Sequence, residues 1–136
     1  MASTLKLEIV TPDAKTYSED VEIVTLPGVE GEMGIYPMHV PLMTQLVAGE
    51  IAVRKNGQDF FLAVGEGFVE ITGETVSVLT DMAIKAQDID ESKAEEARKR
   101  AEERLRGDLS HEEVASVEAA LAHSLAQLKV KRRQHH

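Results

Sequence analysis

The spacing of apolar residues changes once along this chain, and that change constrains the fold more than any single motif. Leu5, Leu7 and Ile9 alternate with Lys6, Glu8 and Val10 until Thr11-Pro12-Asp13 breaks the run, and Val21 and Ile23 resume the alternation up to Pro27-Gly28. Successive side chains of an extended chain point to opposite faces, so a period of two buries one face of a strand. In EIAVRKNGQDFFLAV two β-rich runs flank Asn56-Gly57, and in GFVEITGETVSVLT two more flank Gly73-Glu74. Asn-Gly is the strongest short hairpin signal, because both residues tolerate the positive φ of the tight turn. Strand follows strand without a helical crossover, which predicts an antiparallel β-sandwich or flattened barrel whose two sheets share one core.

Beyond Ile84-Lys85-Ala86 the apolar period becomes three to four, and the segment contains no proline and a single glycine, Gly107. This reads as two helices joined by a turn, an antiparallel hairpin. Asp88 or Asp90 can cap the first helix, Ala94, Ala97, Ala101 and Leu105 form its narrow apolar stripe, and Gly107 can end it. Glu95-Lys99, Glu96-Arg100 and Glu102-Arg106 stand at the i,i+4 spacing of helix-surface ion pairs. Ser110 with Glu113 makes a capping box, and Val114, Val117, Leu121, Leu125 and Leu128 then recur until the basic run Lys129, Lys131, Arg132, Arg133. The expected organisation is a β domain over residues 1–87 and a helical hairpin over 88–136, an α+β arrangement by segment. An alanine stripe buries little area at roughly 25 cal/mol per Å², so the hairpin is expected to be held weakly and to need a surface to lie on.

Composition removes several function classes. Hydrophobic residues are 43% of the chain, but Trp is absent and aromatics are 4%, so the core must be built from Val, Ile, Leu and Met. The lack of cysteine removes disulfides, thiol nucleophiles and cysteine metal sites. The net charge of -9 divides unevenly: 13 acidic and 5 basic residues through Gln87, 11 acidic and 10 basic after it. An acidic front half argues against a nucleic-acid partner, whose phosphates demand Lys and Arg clusters. MASTLKLEIV alternates instead of running apolar as a signal peptide would, and no stretch nears the roughly 20 apolar residues of a membrane span, so no direct membrane insertion is expected.

The stretch GEMGIYPMHVPLMTQL concentrates Gly31, Gly34, Pro37, His39 and Pro41 within sixteen residues. The prolines fix φ and push Tyr36 and Val40 toward extended geometry, so it is neither one helix nor one central strand. His39 as a general base near Glu32 or Asp13 is the enzymatic reading, but the front half offers no second histidine, no G-x-S-x-G and no metal-ligand cluster. His111 and His123 fall in the hairpin as solvated or packed residues, and His135 and His136 end the chain without an assigned role.

Gly31-Glu32-Met33-Gly34-Ile35-Tyr36-Pro37-Met38-His39-Val40-Pro41-Leu42-Met43-Thr44 resembles the G-x-[LM]-G-[IV]-x-P-x-H-x-P-[LM]-x-T segment of the epsilon subunits of F-type ATP synthases, counterparts of the mitochondrial delta subunit. LEIVTPDAKTYSEDVEIVTLPGVEG and FFLAVGEGFVEI extend the resemblance over nearly the whole chain. It implies a non-enzymatic central-stalk subunit of a proton- or sodium-translocating ATP synthase, peripheral on the cytoplasmic face of the bacterial inner membrane. The implied partners are the gamma subunit, the ring of c subunits and the alpha and beta subunits of the catalytic head. Gly31, Gly34, Pro37, His39 and Pro41 would then shape a loop facing neighbouring subunits, and Lys129, Lys131, Arg132 and Arg133 would meet an acidic loop of beta when the helices extend. No cofactor is implied except weak regulatory ATP at an I-D-x-x-R-A segment, matched by Ile89, Asp90, Lys93 and Ala94 with lysine in place of arginine. The rival reading is a free-standing β-sandwich adaptor or ligand-binding domain with a helical appendage.

Overall fold

The computed structural model describes residues 4–13 and 15–134. Ten strands precede two helices among them: β1 Leu5–Val10, β2 Lys15–Val21, β3 Ile23–Gly28, β4 Gly31–Ile35, β5 Leu42–Leu46, β6 Gly49–Lys55, β7 Gln58–Val64, β8 Gly67–Thr72, β9 Thr75–Thr80, β10 Ala83–Lys85, α1 Glu91–Leu105 and α2 His111–Gln134. A 3-10 turn, Ala86–Asp88, joins the two parts.

The two layers of the sandwich are one sheet curled on itself, with strand order β10-β7-β6-β3-β5-β8-β9-β1-β2 and β4 paired to β3. The right-handed twist accumulated over so many strands brings the two halves of the sheet face to face. The inward face carries Leu5, Leu7, Ile9, Val24, Leu26, Ile51, Val53, Leu62, Val69, Ile71, Val76 and Val78, all buried to within about a hundredth of their area. Their period of two is the alternation visible in the sequence. One pairing departs from an all-antiparallel sheet: β1 runs parallel to β9, Lys6 opposite Thr75 through Val10 opposite Leu79. No hairpin can make such a pair, and here the intervening strands form the crossover.

Local turn chemistry explains the tight corners. Asn56 and Gly57 lie at φ 54° and 75°, the geometry a two-residue hairpin between β6 and β7 needs, and Gly73 at φ 55° turns β8 into β9. β7 is buried on both faces at its end, with Leu62, Ala63 and Val64 all covered, which accounts for the unbroken apolar LAV that closes the strand.

The outer face of β6 and β7 receives α2. Ala63, Ala86, Ile89, Ala126 and Val130 make a second, smaller apolar cluster there, edged by Phe61, Met82 and Ile84. This differs from the expected stripe: Val117 and Leu128 are buried, but Leu125 is 49% exposed while Ser124, Ala126 and Val130 are covered. α2 has two apolar faces, one for α1 and one for the sheet, so a single stripe cannot describe it. Ala94 and Ala101 of α1 are buried as expected. Asp90, not Asp88, is the cap of α1, its carboxylate accepting from the Lys93 amide at 3.1 Å. The expected i,i+4 pairs do not form on α1. Arg98 instead bridges Glu95 and Glu102, since its guanidinium reaches both neighbouring turns at once.

Because the larger core is complete without the helices, a chain ending at Gln87 is expected to keep β-type circular dichroism and a sigmoidal melt. A fragment with no cooperative melt would place the domain boundary elsewhere.

Candidate partner-binding surfaces

One end of the sheet carries the Gly-Pro-His segment. Gly31 adopts φ 127°, closed to L side chains, at the turn that reverses β3 into β4. Gly34 has no such conformation, and a Cβ there would meet only Tyr36 Cε2 at an ordinary 3.8 Å, so its role there is not backbone strain. The unusual residue of the following loop is Met38, at φ 67° and 80% exposed. His39 spends its Nδ1–H on the Val40 carbonyl oxygen at 2.6 Å, which stiffens the loop between Pro37 and Pro41. Among the described residues no group of three or more metal-binding side chains exists, near His39 or elsewhere.

The same end exposes Tyr36, Met38, Val40 and Met43. Around the corner, the outward face of β5, β8 and β9 places Gln45 beside Phe68 and Phe68 beside Leu79, with Phe68 and Leu79 each more than half exposed. Apolar side chains gathered like this mark an interaction site more often than a stray surface residue does. Sequence reasoning missed Phe68 and Leu79. Their signal was parity: they sit out of phase with buried Val69, Ile71, Val76 and Val78.

The hairpin supplies the second surface, and its basic end is already engaged. Lys131 Nζ donates to the Ala86 carbonyl oxygen at 3.2 Å. Arg132 donates to Glu91 at 3.2 Å and to Glu95 at 3.0 Å. Arg133 Nε lies 2.9 Å from Oε2 of Glu50, a charge contact outside hydrogen-bond alignment, while its guanidinium stands 5.3 Å from the Phe61 ring. Glu50 is buried on β6, so Arg133 is the counter-charge that makes its burial tolerable. Lys129 is exposed. Midway along α2, His123 Nε2 is 3.1 Å from both carboxylate oxygens of Asp81. Gly65 permits that approach, because a Cβ there would fall 1.9 Å from Asp81 Oδ1 and 2.6 Å from His123 Nε2. In the Ile89-to-Ala94 segment, Ile89 and Ala94 are buried, Asp90 is the helix cap and Lys93 is exposed.

Carboxylates hold the hairpin together at its two ends. Hydrogen bonds from Arg98, with Arg132 adding its charge, keep Glu95 below the ordinary glutamate value of 4.5. The Ser110 amide and then its hydroxyl do the same for Glu113 at the start of α2. A depressed folded-state pKa contributes stability fully above 4.5 and loses it as pH falls through the folded value. Helical circular dichroism is therefore expected to hold steady above that pH and to fall in acid before the β signal does. Simultaneous loss of both signals would show that these carboxylates do not govern the hairpin.

Comparison with known proteins places both parts. Residues 4–86 match the family described as ATP synthase, Delta/Epsilon chain, beta-sandwich domain, and residues 87–132 match its long alpha-helix domain. The chain belongs to the ATP synthase delta/epsilon family. An ATP synthase epsilon chain of Desulforamulus reducens is 40% identical over 129 residues, covering 95% of this chain and 98% of that one. Another of Dehalococcoides mccartyi is 43% identical over 134 residues, 96% of each. The delta/epsilon fold is also seen in a chain of the Euglena gracilis mitochondrial ATP synthase, OSCP/F1/c-ring, with TM-score 0.76 at 22% identity, covering 98% of this chain and 82% of that one. A chain of the Tetrahymena thermophila mitochondrial ATP synthase central stalk and c-ring follows, with TM-score 0.62 at 12% identity. No helix of this family member is long and apolar enough to cross a membrane, among the described residues.

Proposed function

We propose that this chain is a non-catalytic central-stalk subunit of a proton-translocating ATP synthase, joining the gamma subunit to the c ring and restraining ATP hydrolysis through its helices. The observation that carries the reading is the match of both domains, end to end, to chains named ATP synthase epsilon chain. The geometry supports it in two places. The exposed apolar loop around Tyr36, Met38 and Met43 offers a rigid end for neighbouring subunits, shaped by Gly31, Pro37, His39 and Pro41, with Gly34 in its adjoining strand. The docked hairpin stores Lys131, Arg132 and Arg133 against Ala86, Glu91, Glu95 and Glu50, and undocking presents them, with Lys129, to an acidic surface of the catalytic head. The site of action is then the cytoplasmic face of the bacterial inner membrane, with the domains divided at Gln87. Nucleotide is at most a weak ligand of the Ile89-to-Ala94 segment, because Asp90 is committed to the helix cap and Lys93 lacks the planar fork of arginine.

Inverted membrane vesicles test this. Deleting residues 88–136, or replacing Lys129, Lys131, Arg132 and Arg133 together by Ala, is expected to raise ATP hydrolysis several-fold and leave synthesis largely intact. Unchanged hydrolysis with normal subunit incorporation would remove the restraining role. Failure to copurify with gamma and c subunits would favour the free-standing adaptor.

A further inference from the structure

The domain has one cavity of unusual composition, about 410 Å³, where β2, the β6–β7 hairpin, the 3-10 turn and the last turn of α2 meet. Its volume lies within the range of small-molecule sites. Three of the chain's five aromatic side chains, Tyr17, Phe60 and Phe61, line it. So do Arg133 and, from residues 1–87, Lys55 and Lys85, two of only five basic residues there against 13 acidic. Two of the cations are committed: Lys55 to Glu19 and Arg133 to buried Glu50. Asp59, at the rim, is taken by Arg54 through both carboxylate oxygens. Lys85 differs, for its ammonium stands 5.8 Å over the Tyr17 ring and, although the charge of Glu19 reaches it, it forms no direct ion pair with a described carboxylate.

We propose that this cavity binds a small aromatic monoanion, its flat ring against Phe60, Phe61 and Tyr17 and its carboxylate, or equivalent anionic group, on Lys85. The chemistry of the walls selects that class. Rings reward a flat apolar body by area and by edge or face contact, whereas one uncommitted ammonium rewards a single negative charge and cannot balance a polyphosphate. Tyr17 offers its ring face and no free donor, because its phenol, pushed up to about 12 by burial first and the charge of Glu19 second, hydrogen-bonds to Glu19. None of Ile89, Asp90, Lys93 and Ala94 lines the cavity, so it is separate from the segment considered for nucleotide. The site also needs the hairpin docked, since Arg133 supplies one wall. It is a property of the isolated chain and does not depend on the central-stalk reading.

Titration of the full chain with 2-naphthoate and with its neutral isostere 2-naphthamide, followed by ligand-observed saturation transfer and by backbone amide shifts, tests the proposal. The expected result is saturable 2-naphthoate binding with Kd of about 1 mM or tighter, shifts centred on Phe60 to Leu62 and Lys85, and at least about tenfold weaker binding of the amide. Lys85→Gln, checked for an unchanged melt, is expected to abolish the preference for the acid. Phe60→Ala, on an already partly exposed side chain, is expected to weaken both probes together. Absence of saturable binding, equal affinity for acid and amide, shifts confined to residues 36–43, or a preference that survives Lys85→Gln would each overturn it.

Discussion

Gly67→Ala is expected to be strongly destabilising. A Cβ built on Gly67 falls 1.9 Å from the Leu79 carbonyl oxygen, 2.8 Å from its carbon and 2.9 Å from the Thr80 Cα, and every one of these atoms is backbone. No side chain can rotate away. Gly67 is held on both sides, opposite Leu46 of β5 and Thr80 of β9, so relief requires prising β8 from a neighbour. A cost of about 3 kcal/mol or more follows from such overpacking, against a total stability of about 5–15 kcal/mol for a domain. Gly49→Ala is the control. There a new methyl meets only the Pro27 side chain, at 3.2 Å and 3.5 Å, and a change under about 1 kcal/mol is expected. Urea midpoints of the two variants measure the difference; a Gly67→Ala midpoint as high as that of Gly49→Ala would mean that the β8–β9 corner is far softer than its geometry.

Arg133→Met is expected to loosen the end of the hairpin while the sheet stays intact. Removing the guanidinium leaves the Glu50 carboxylate buried on β6 with no charge opposite it and takes away the contact with the Phe61 ring. An orphaned buried polar group costs about 1–3 kcal/mol, so opening of the last turns of α2 is expected to become roughly tenfold more frequent. Amide hydrogen exchange reads this directly, as faster exchange across residues 124–133 with β6 and β7 protected. Adding Glu50→Gln removes the unpaired charge and is expected to recover part of the loss, which a double-mutant cycle quantifies. Exchange in α2 that ignores Arg133 would show that Val130, Ala126 and Leu128 hold the helix unaided.

Features fixed by a few neighbouring residues were legible before any coordinates. The Asn56-Gly57 hairpin, the Ser110–Glu113 capping box and, as one of two candidates, the Asp90 cap of α1 depend on φ preference or on a side chain reaching a nearby amide, and such information lies within four residues. The alternation of Leu5, Leu7 and Ile9 showed a strand with one face inward, but not that its partners would be β2 and, in parallel, β9. Partner choice is a property of the closed sheet. On α2 the pattern was ambiguous because two surfaces compete for it: Leu125 has the right spacing and faces water, while the small residue Ala126 lets the helix lie close to Ala63 of β7. The basic run was visible as charge, but its commitment to Glu50, Glu91 and Glu95 was not, since each of those acids lies at least 37 positions from the arginine it meets. The aromatic cavity had no linear signature at all, being assembled from four separate stretches.

The parallel contact between β1 and β9 also sets a schedule for synthesis. Leu5 to Val10 leave the ribosome before the other strands of the sheet, yet one of their two neighbours is not made until Thr75 to Leu79 have emerged. Until then the nascent chain holds an apolar strand with an open edge, at the stage when a growing polypeptide is most prone to stick to others. Closure over such a sequence separation is slow compared with the hairpins that form locally on either side of it. The two helices are translated after that strand is available, so their landing surface on β6 and β7 is expected to be ready when they arrive, and joining the ends of the β domain becomes the step that times the maturation of the whole chain.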